Sequence, residues 1–436
     1  MIPTWSIPWL LIALPCLGAL SGLAAWSKPE RLKTHVLTAT AGTFLAIVTV
    51  IWWQGDLSTG KLFVCLLPVA SFISLLGQPV HRDNRSAWVL SLILLGLGLG
   101  SLIAPEPARQ VSRIFLLSVV AAAMHRFRGT GPAPAVRAVA CYGIGIIAAV
   151  AALVLPPSSA AIASLVTCAT LLPLLPLHAG HVAVLTRLPG NLPALLIVLL
   201  PVVGLQQIPA LLPDLSPSIR QALEILALVG AFYGSLQALT QVRPLPLLAY
   251  ASVAFFSILW WVVAVTGAAG AQAGIYVSAV GLASSGLLLA WYAVRARYGD
   301  VDLRALGGMV YAMPRFSTLL CLLALAALGM PPFGVFAGFL GMLFDPAFKV
   351  SGGLAIVLFA WLSASWYLLG LMQQLVFGRR QSTVPYDDLR THEFVSLLLV
   401  LALLAVLGLV PARFLGADQT PVSPNVAIMR GAAWTR

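Results

Sequence analysis

The chain has 436 residues, 60% of them hydrophobic and 9% charged, and its mean hydropathy is +0.98. These values lie outside the range of soluble domains and leave room for many membrane-crossing helices of about 20 residues each. The net charge of +12 comes from basic residues scattered singly, with no patch of interleaved aromatics, which argues against nucleic acid as a partner.

The N-terminus, MIPTWSIPWLLIALPCLGALSGLAAW, has no basic lead-in and carries Lys28, Arg31 and Lys33 after its apolar run. A cleaved signal peptide has the reverse order. The expectation is an uncleaved first span with the N-terminus outside. Fourteen apolar segments follow in order: 6–26, 35–54, 61–78, 87–104, 111–126, 136–155, 159–177, 190–212, 219–239, 246–266, 273–295, 314–345, 352–377 and 393–412. The fifth is short, and proline interrupts the eighth and the twelfth. This predicts an all-α polytopic membrane protein with a single transmembrane domain over 1–412 and a short polar tail over 413–436. Cys16, Cys65, Cys141, Cys168 and Cys321 sit inside apolar runs without a CxxC pair, so they read as small buried hydrophobes.

Loop charge tests the count independently. Connections after odd-numbered segments, with their edges, hold seventeen Lys and Arg, and those after even-numbered segments hold five. By the positive-inside rule the odd loops face the cytoplasm and both termini lie outside. Trp26, Trp52, Trp53, Trp88 and Trp291 fall near segment ends, where an interfacial aromatic belt is expected.

The stretch from Leu171 to Gln207 stands apart because Pro173, Pro176, Pro189, Pro193 and Pro201 fall within strongly apolar sequence. Proline removes a backbone donor, and in lipid the freed carbonyls must find partners inside the protein. His178, His181 and Arg187 cluster between its two apolar halves, where a membrane surface is expected.

Four stretches carry a family resemblance. Pro173-Leu-Leu-Pro176-Leu-His178, followed by Pro189, resembles the KxPxxPxHxWLPxAHxxAP signature of antiporter-like membrane subunits. These belong to respiratory complex I, its hydrogenase and bicarbonate-uptake relatives, and Mrp-type antiporters. Gly234-Ser-Leu-Gln-Ala-Leu-Thr-Gln241 with Leu247-Leu-Ala-Tyr250-Ala-Ser252-Val253 is similar to the family's GxxxALxQxDxKRLLAYSSVSH run. Gly329-Met-Pro331-Pro332-Phe333-Gly-Val-Phe336 is similar to GLPPFxGF, and Ser363-Ala-Ser-Trp-Tyr367-Leu, ending at Phe377-Gly378, to the end of the thirteenth span. The resemblance implies two inverted five-span repeats, near 87–212 and 219–377, with broken helices in spans 7 and 12 and a proton half-channel in each.

Such a channel needs ionisable groups inside the membrane. Here the family's relay positions fall on Leu171, Val202, Leu245 and Phe255, and a fifth falls at or beside Phe339. No Asp or Glu occurs between Glu106 and Asp214, and no Lys between Lys61 and Lys349. The usual proton path is therefore expected to be absent.

The remaining ion-pathway candidates are His178, His181, Arg220, Glu224, Asp345 and Lys349. The two histidines read first as partners for carbonyls freed by Pro176, with a residual proton or ion role as the alternative. Arg220 and Glu224 have the i,i+4 spacing of a helix-end ion pair. Asp345 and Lys349 repeat that spacing across Pro346, at the outer end of span 12. No catalytic arrangement, metal set or cofactor motif is readable, so any redox chemistry would belong to partners. The sequence points to a membrane-arm subunit of a complex I-type assembly, structural or unconventional in conduction, with other membrane subunits and the bilayer as partners. Its rivals are an ion or inorganic-carbon transporter with one large soluble partner, and a membrane-embedded transferase using His178 and His181.

The topology is directly testable. Single cysteines at Ser382 and Gln419 should be labelled from opposite sides of the membrane, the first from the cytoplasm; labelling of both from one side would overturn the fourteen-span count.

Overall fold

A computed structural model describes residues 7–54, 59–127, 135–300, 302–303, 306–378 and 387–409. The tail and the two labelling sites, Ser382 and Gln419, lie outside the described residues. All regular structure among the described residues is helical: seventeen α-helices, with a few short 3-10 and π turns between or after them. They are α1 (Ile7–Gly22), α2 (Pro29–Gln54), α3 (Thr59–Leu76), α4 (Arg85–Ile103), α5 (Ala108–Arg126) and α6 (Ala135–Val154). Next come α7 (Pro157–Leu171), α8 (His178–Arg187), α9 (Leu192–Leu211), α10 (Pro217–Thr240), α11 (Pro244–Thr266) and α12 (Ala271–Tyr298). The last are α13 (Met309–Ala312), α14 (Pro314–Ala327), α15 (Gly334–Leu343), α16 (Gly353–Met372) and α17 (Thr391–Leu409). Setting aside the four-residue α13 and joining α7 with α8 and α14 with α15 leaves fourteen passes. Ten of the helices are long and apolar enough to cross a membrane unaided.

Passes 7 and 12, each the fourth in a run of five (passes 4–8 and 9–13), are the two broken ones. Proline marks where the helices begin as well as where they break. Pro157, Pro217, Pro244 and Pro314 occupy the first turn of α7, α10, α11 and α14, where no backbone donor is needed. Ser216 caps α10 by accepting from the Ile219 amide at 3.4 Å. The expected interruption of pass 8 is absent: α9 runs through Pro201 and Pro209 as one helix. Pass 5 is full-length, since α5 starts at Ala108.

α11 and α12 are buried almost throughout and form the centre, whereas α1, α2 and α6 turn most of their surface outward. α12 packs against α9, α11, α15 and α17. α10 lies along α11, where a Cβ on Gly234 would come within 2.8 Å of the Ala254 amide nitrogen. Close backbone approach through small residues is the packing device available when lipid offers no hydrophobic drive.

Three basic residues counted with the loops are instead built into the bundle. Lys33 on α2 is buried and donates to the carbonyls of Leu76 and Gln78. Arg113 on α5 is 2% exposed. Arg297, at the end of α12, clamps Glu393 of α17 at 2.7 and 3.2 Å with both side chains nearly buried. The aromatic belt is also revised: Trp52 and Trp53 are exposed, but Trp88 and Trp291 are core residues.

Both breaks follow one rule. A helix continuing through Pro176 or Pro332 would need that residue's missing N–H to bond the carbonyl four positions earlier, Leu172 or Leu328. Trp260 Nε1 donates to the Leu172 carbonyl at 3.1 Å, and Trp361 Nε1 donates to the Leu328 carbonyl at 2.9 Å. Replacing either indole by Phe keeps a ring but orphans a carbonyl. Trp260→Phe and Trp361→Phe should each destabilise the fold by about 1–3 kcal/mol, measured by unfolding in mixed micelles. Unchanged stability would show that the carbonyls are satisfied otherwise.

Candidate functional site

The first break joins α7 to α8. The backbone leaves the helix at Leu172 and re-enters at His178. Contrary to the surface placement expected for His178 and His181, α8 is the second half of the seventh pass and His181 is 2% exposed, whereas Arg187 is the last residue of that helix. His178 lies edge-on to Tyr233 with ring centres 5.2 Å apart, and Tyr233 edge-on to Tyr250 at 6.1 Å. His181 Nε2 is 2.9 Å from Ser252 Oγ, which itself bonds the Ala249 carbonyl at 2.8 Å. The hydroxyl has one proton and gives it to that carbonyl, so it accepts from Nε2–H. His181 Nδ1 is then a bare acceptor, buried and without a partner, and His178 Nδ1 is likewise unpartnered. Neither histidine bonds the Leu172 carbonyl; that role belongs to Trp260.

The second break joins α14 to α15. Gly329 turns it with a φ of +73°, a conformation that side chains resist. A Cβ there would come within 2.4 Å of the Trp361 ring, so conformation and space both require glycine. Trp361 stacks on Phe339 at 4.2 Å and meets Phe255 edge-on at 5.3 Å. Tyr276 closes the group by donating to the Phe255 carbonyl at 3.1 Å. Phe255, where the resemblance places an ionisable group, and Phe339, at or beside another such position, thus hold the two rings that flank an indole. Leu171 and Val202 are fully buried and Leu245 nearly so.

The other candidates do not converge. Arg220 bonds the Leu212 carbonyl at 2.8 Å instead of forming the i,i+4 pair with Glu224. Glu224 is half-buried on α10. Asp345 accepts from the Ala347 amide at 2.9 Å just beyond α15, while Lys349 is exposed. No group of three His, Cys, Asp or Glu suited to a metal occurs among the described residues.

One polar cluster went unseen in the sequence. Arg113 donates to Gln110 Oε1 at 2.8 Å and lies 4.0 Å from Glu106, while Gln110 donates to the Ala149 carbonyl at 3.1 Å. Cys168 lies 3.4 Å from Gln207 across α7 and α9. The spacing of Gln110 and Arg113, three residues apart on one helical face, was the available signal.

Residues 110–365, more than half of the chain, match the family described as NADH:quinone oxidoreductase/Mrp antiporter, transmembrane. NADH-quinone oxidoreductase subunit M of Escherichia coli is 28% identical over 218 residues, 49% of this chain and 42% of that protein. The alignment therefore spans under half of that relative's length. A chain of respiratory complex I from Thermus thermophilus superposes with a TM-score of 0.75 at 18% identity, covering 94% of this chain and 96% of that one. A chain of the Mrp complex from a Dietzia species gives 0.77 at 16% identity, with 95% and 96% covered. The four resembling stretches and the two broken passes have the same source: the chain is an integral membrane protein of the NADH:quinone oxidoreductase/Mrp antiporter transmembrane family.

Proposed function

We propose that the chain is a membrane-arm subunit of a complex I-type or Mrp-type assembly that keeps the fold of a proton-conducting subunit without its relay. The observation that carries this reading is the stack of Phe339, Trp361 and Phe255. Rings occupy a place where the resemblance calls for groups that take and release protons, and Leu171 and Val202 do the same in the first repeat. Charges at the bilayer centre cost at least about 2.5–3.5 kcal/mol each by insertion scales, and persist where function requires them. A subunit serving by its shape is free of that requirement. In this reading the repeats span about 87–212 and 219–377, the termini face outward, and neighbouring membrane subunits hold the chain.

A second reading rests on the unpartnered Nδ1 atoms of His178 and His181 and on half-buried Glu224. They would belong to an ion or inorganic-carbon transporter working with one soluble partner by an unconventional path.

Assembly and ion movement separate the two. Glu224→Gln and His181→Gln should cost assembly at most, with ion movement per assembled complex unchanged in sealed vesicles. A Glu224→Gln protein that assembles normally but moves no ion would overturn the scaffold reading.

A further inference from the structure

We infer that the chain holds a phospholipid by its uncharged ester neck, in the cavity between the ends of α10, α11 and α16. The cavity measures about 470 Å³. Thr240 and Gln241 at the end of α10, Leu247 of α11, and Tyr367, Gln373 and Gln374 at the end of α16 line it. Gln373–Phe377 form a single wide π turn, a local departure from α geometry that recurs at functional sites. Tyr367 is 5% exposed, and its hydroxyl has no partner. No charged side chain lines the cavity among the described residues. Arg243, one residue beyond the lining Val242, is paired with Asp302 at 3.2 Å. Amides and hydroxyls without charge suit carbonyl and ether oxygens better than a phosphate.

What adjoins the cavity identifies the rest of the ligand. Phe232, Leu236 and Leu239 of α10 and Phe359, Leu362 and Trp366 of α16 are exposed, and Phe232 and Phe359 pack at 5.2 Å. This apolar seam continues from the polar cavity along the two helices. A molecule that fills both has hydrogen-bond acceptors at one end and long hydrocarbon at the other. Trp366 is 78% exposed where the two zones meet and offers a large apolar face to a chain lying along the seam. Gln241 already donates its amide to the Gln237 carbonyl at 3.1 Å, so acyl chains lie along the seam and the ester carbonyls accept from the amides of Gln373 and Gln374.

Gly370 gives a clean test. It lines the cavity, and a Cβ there would meet nothing within 4 Å, so the side chain of Gly370→Leu starts in open space beside the cavity. Gly143 on α6 is equally unencumbered and serves as the control. The full chain, with any co-purifying subunits, would be ejected from nanodiscs of palmitoyl-oleoyl phosphatidylcholine and examined by native mass spectrometry. Wild type and Gly143→Leu should retain a phospholipid adduct, and Gly370→Leu should lose it by roughly tenfold or more. Phosphatidylglycerol nanodiscs should give the same pattern, because the neck and not the headgroup is held. Equal retention by Gly370→Leu would overturn the proposal, as would retention of phosphatidylglycerol alone. So would a photocrosslinker at Gln374 that captures a protein instead of lipid in native membranes.

Discussion

Lipid offers no water to a broken helix, and this fold depends on how two breaks are closed. Pro176 and Pro332 each remove the donor that would have bonded a carbonyl four residues earlier. In a soluble protein, solvent could take that carbonyl; inside a bilayer it must find a donor in the protein. Trp260 and Trp361 supply an N–H on a large apolar body, so the carbonyl is bonded and the surrounding space filled together. The donors come from α11 and α16, so both breaks are closed by tertiary packing and depend on their neighbours. Burial of α11 therefore fixes the first break as well as the centre of the bundle.

The same economy bears on function. Where a broken pass serves conduction, freed backbone and ionisable side chains face a hydrated space. Here Trp361 both closes the backbone and fills the space between Phe255 and Phe339. Polar groups remain around the first break: His178 meets Tyr233 edge-on, Tyr233 is hydrogen-bonded to Tyr250, and His181 ends on Ser252. The buried Arg113 group is anchored to Gln110 and beside Glu106, and a guanidinium cannot give up its proton.

Much of the architecture was legible because hydropathy and proline act locally. The fourteen passes follow from apolar runs, and both breaks from proline within them. Pro201 misled, since α9 tolerates it without unwinding. The indole caps were not legible: Trp260 and Trp361 are aromatic residues in apolar runs, and which carbonyl each meets is decided by tertiary packing. Charge was misread for a similar reason. Lys33, Arg113 and Arg297 count as loop residues by position, yet each finds carbonyls or a carboxylate that let it be buried. Arg220 and Glu224 have the spacing of a pair, but the Leu212 carbonyl lies within reach and claims the guanidinium.

The most direct measurement of the central claim is a cryo-EM map of the full chain in lipid at a resolution that locates ordered water. The account predicts indole nitrogens at hydrogen-bonding distance from the Leu172 and Leu328 carbonyls, and no continuous file of water between the first break and the second. Indoles turned away, with a chain of ordered waters running from His181 past Tyr276 to Asp345, would contradict it.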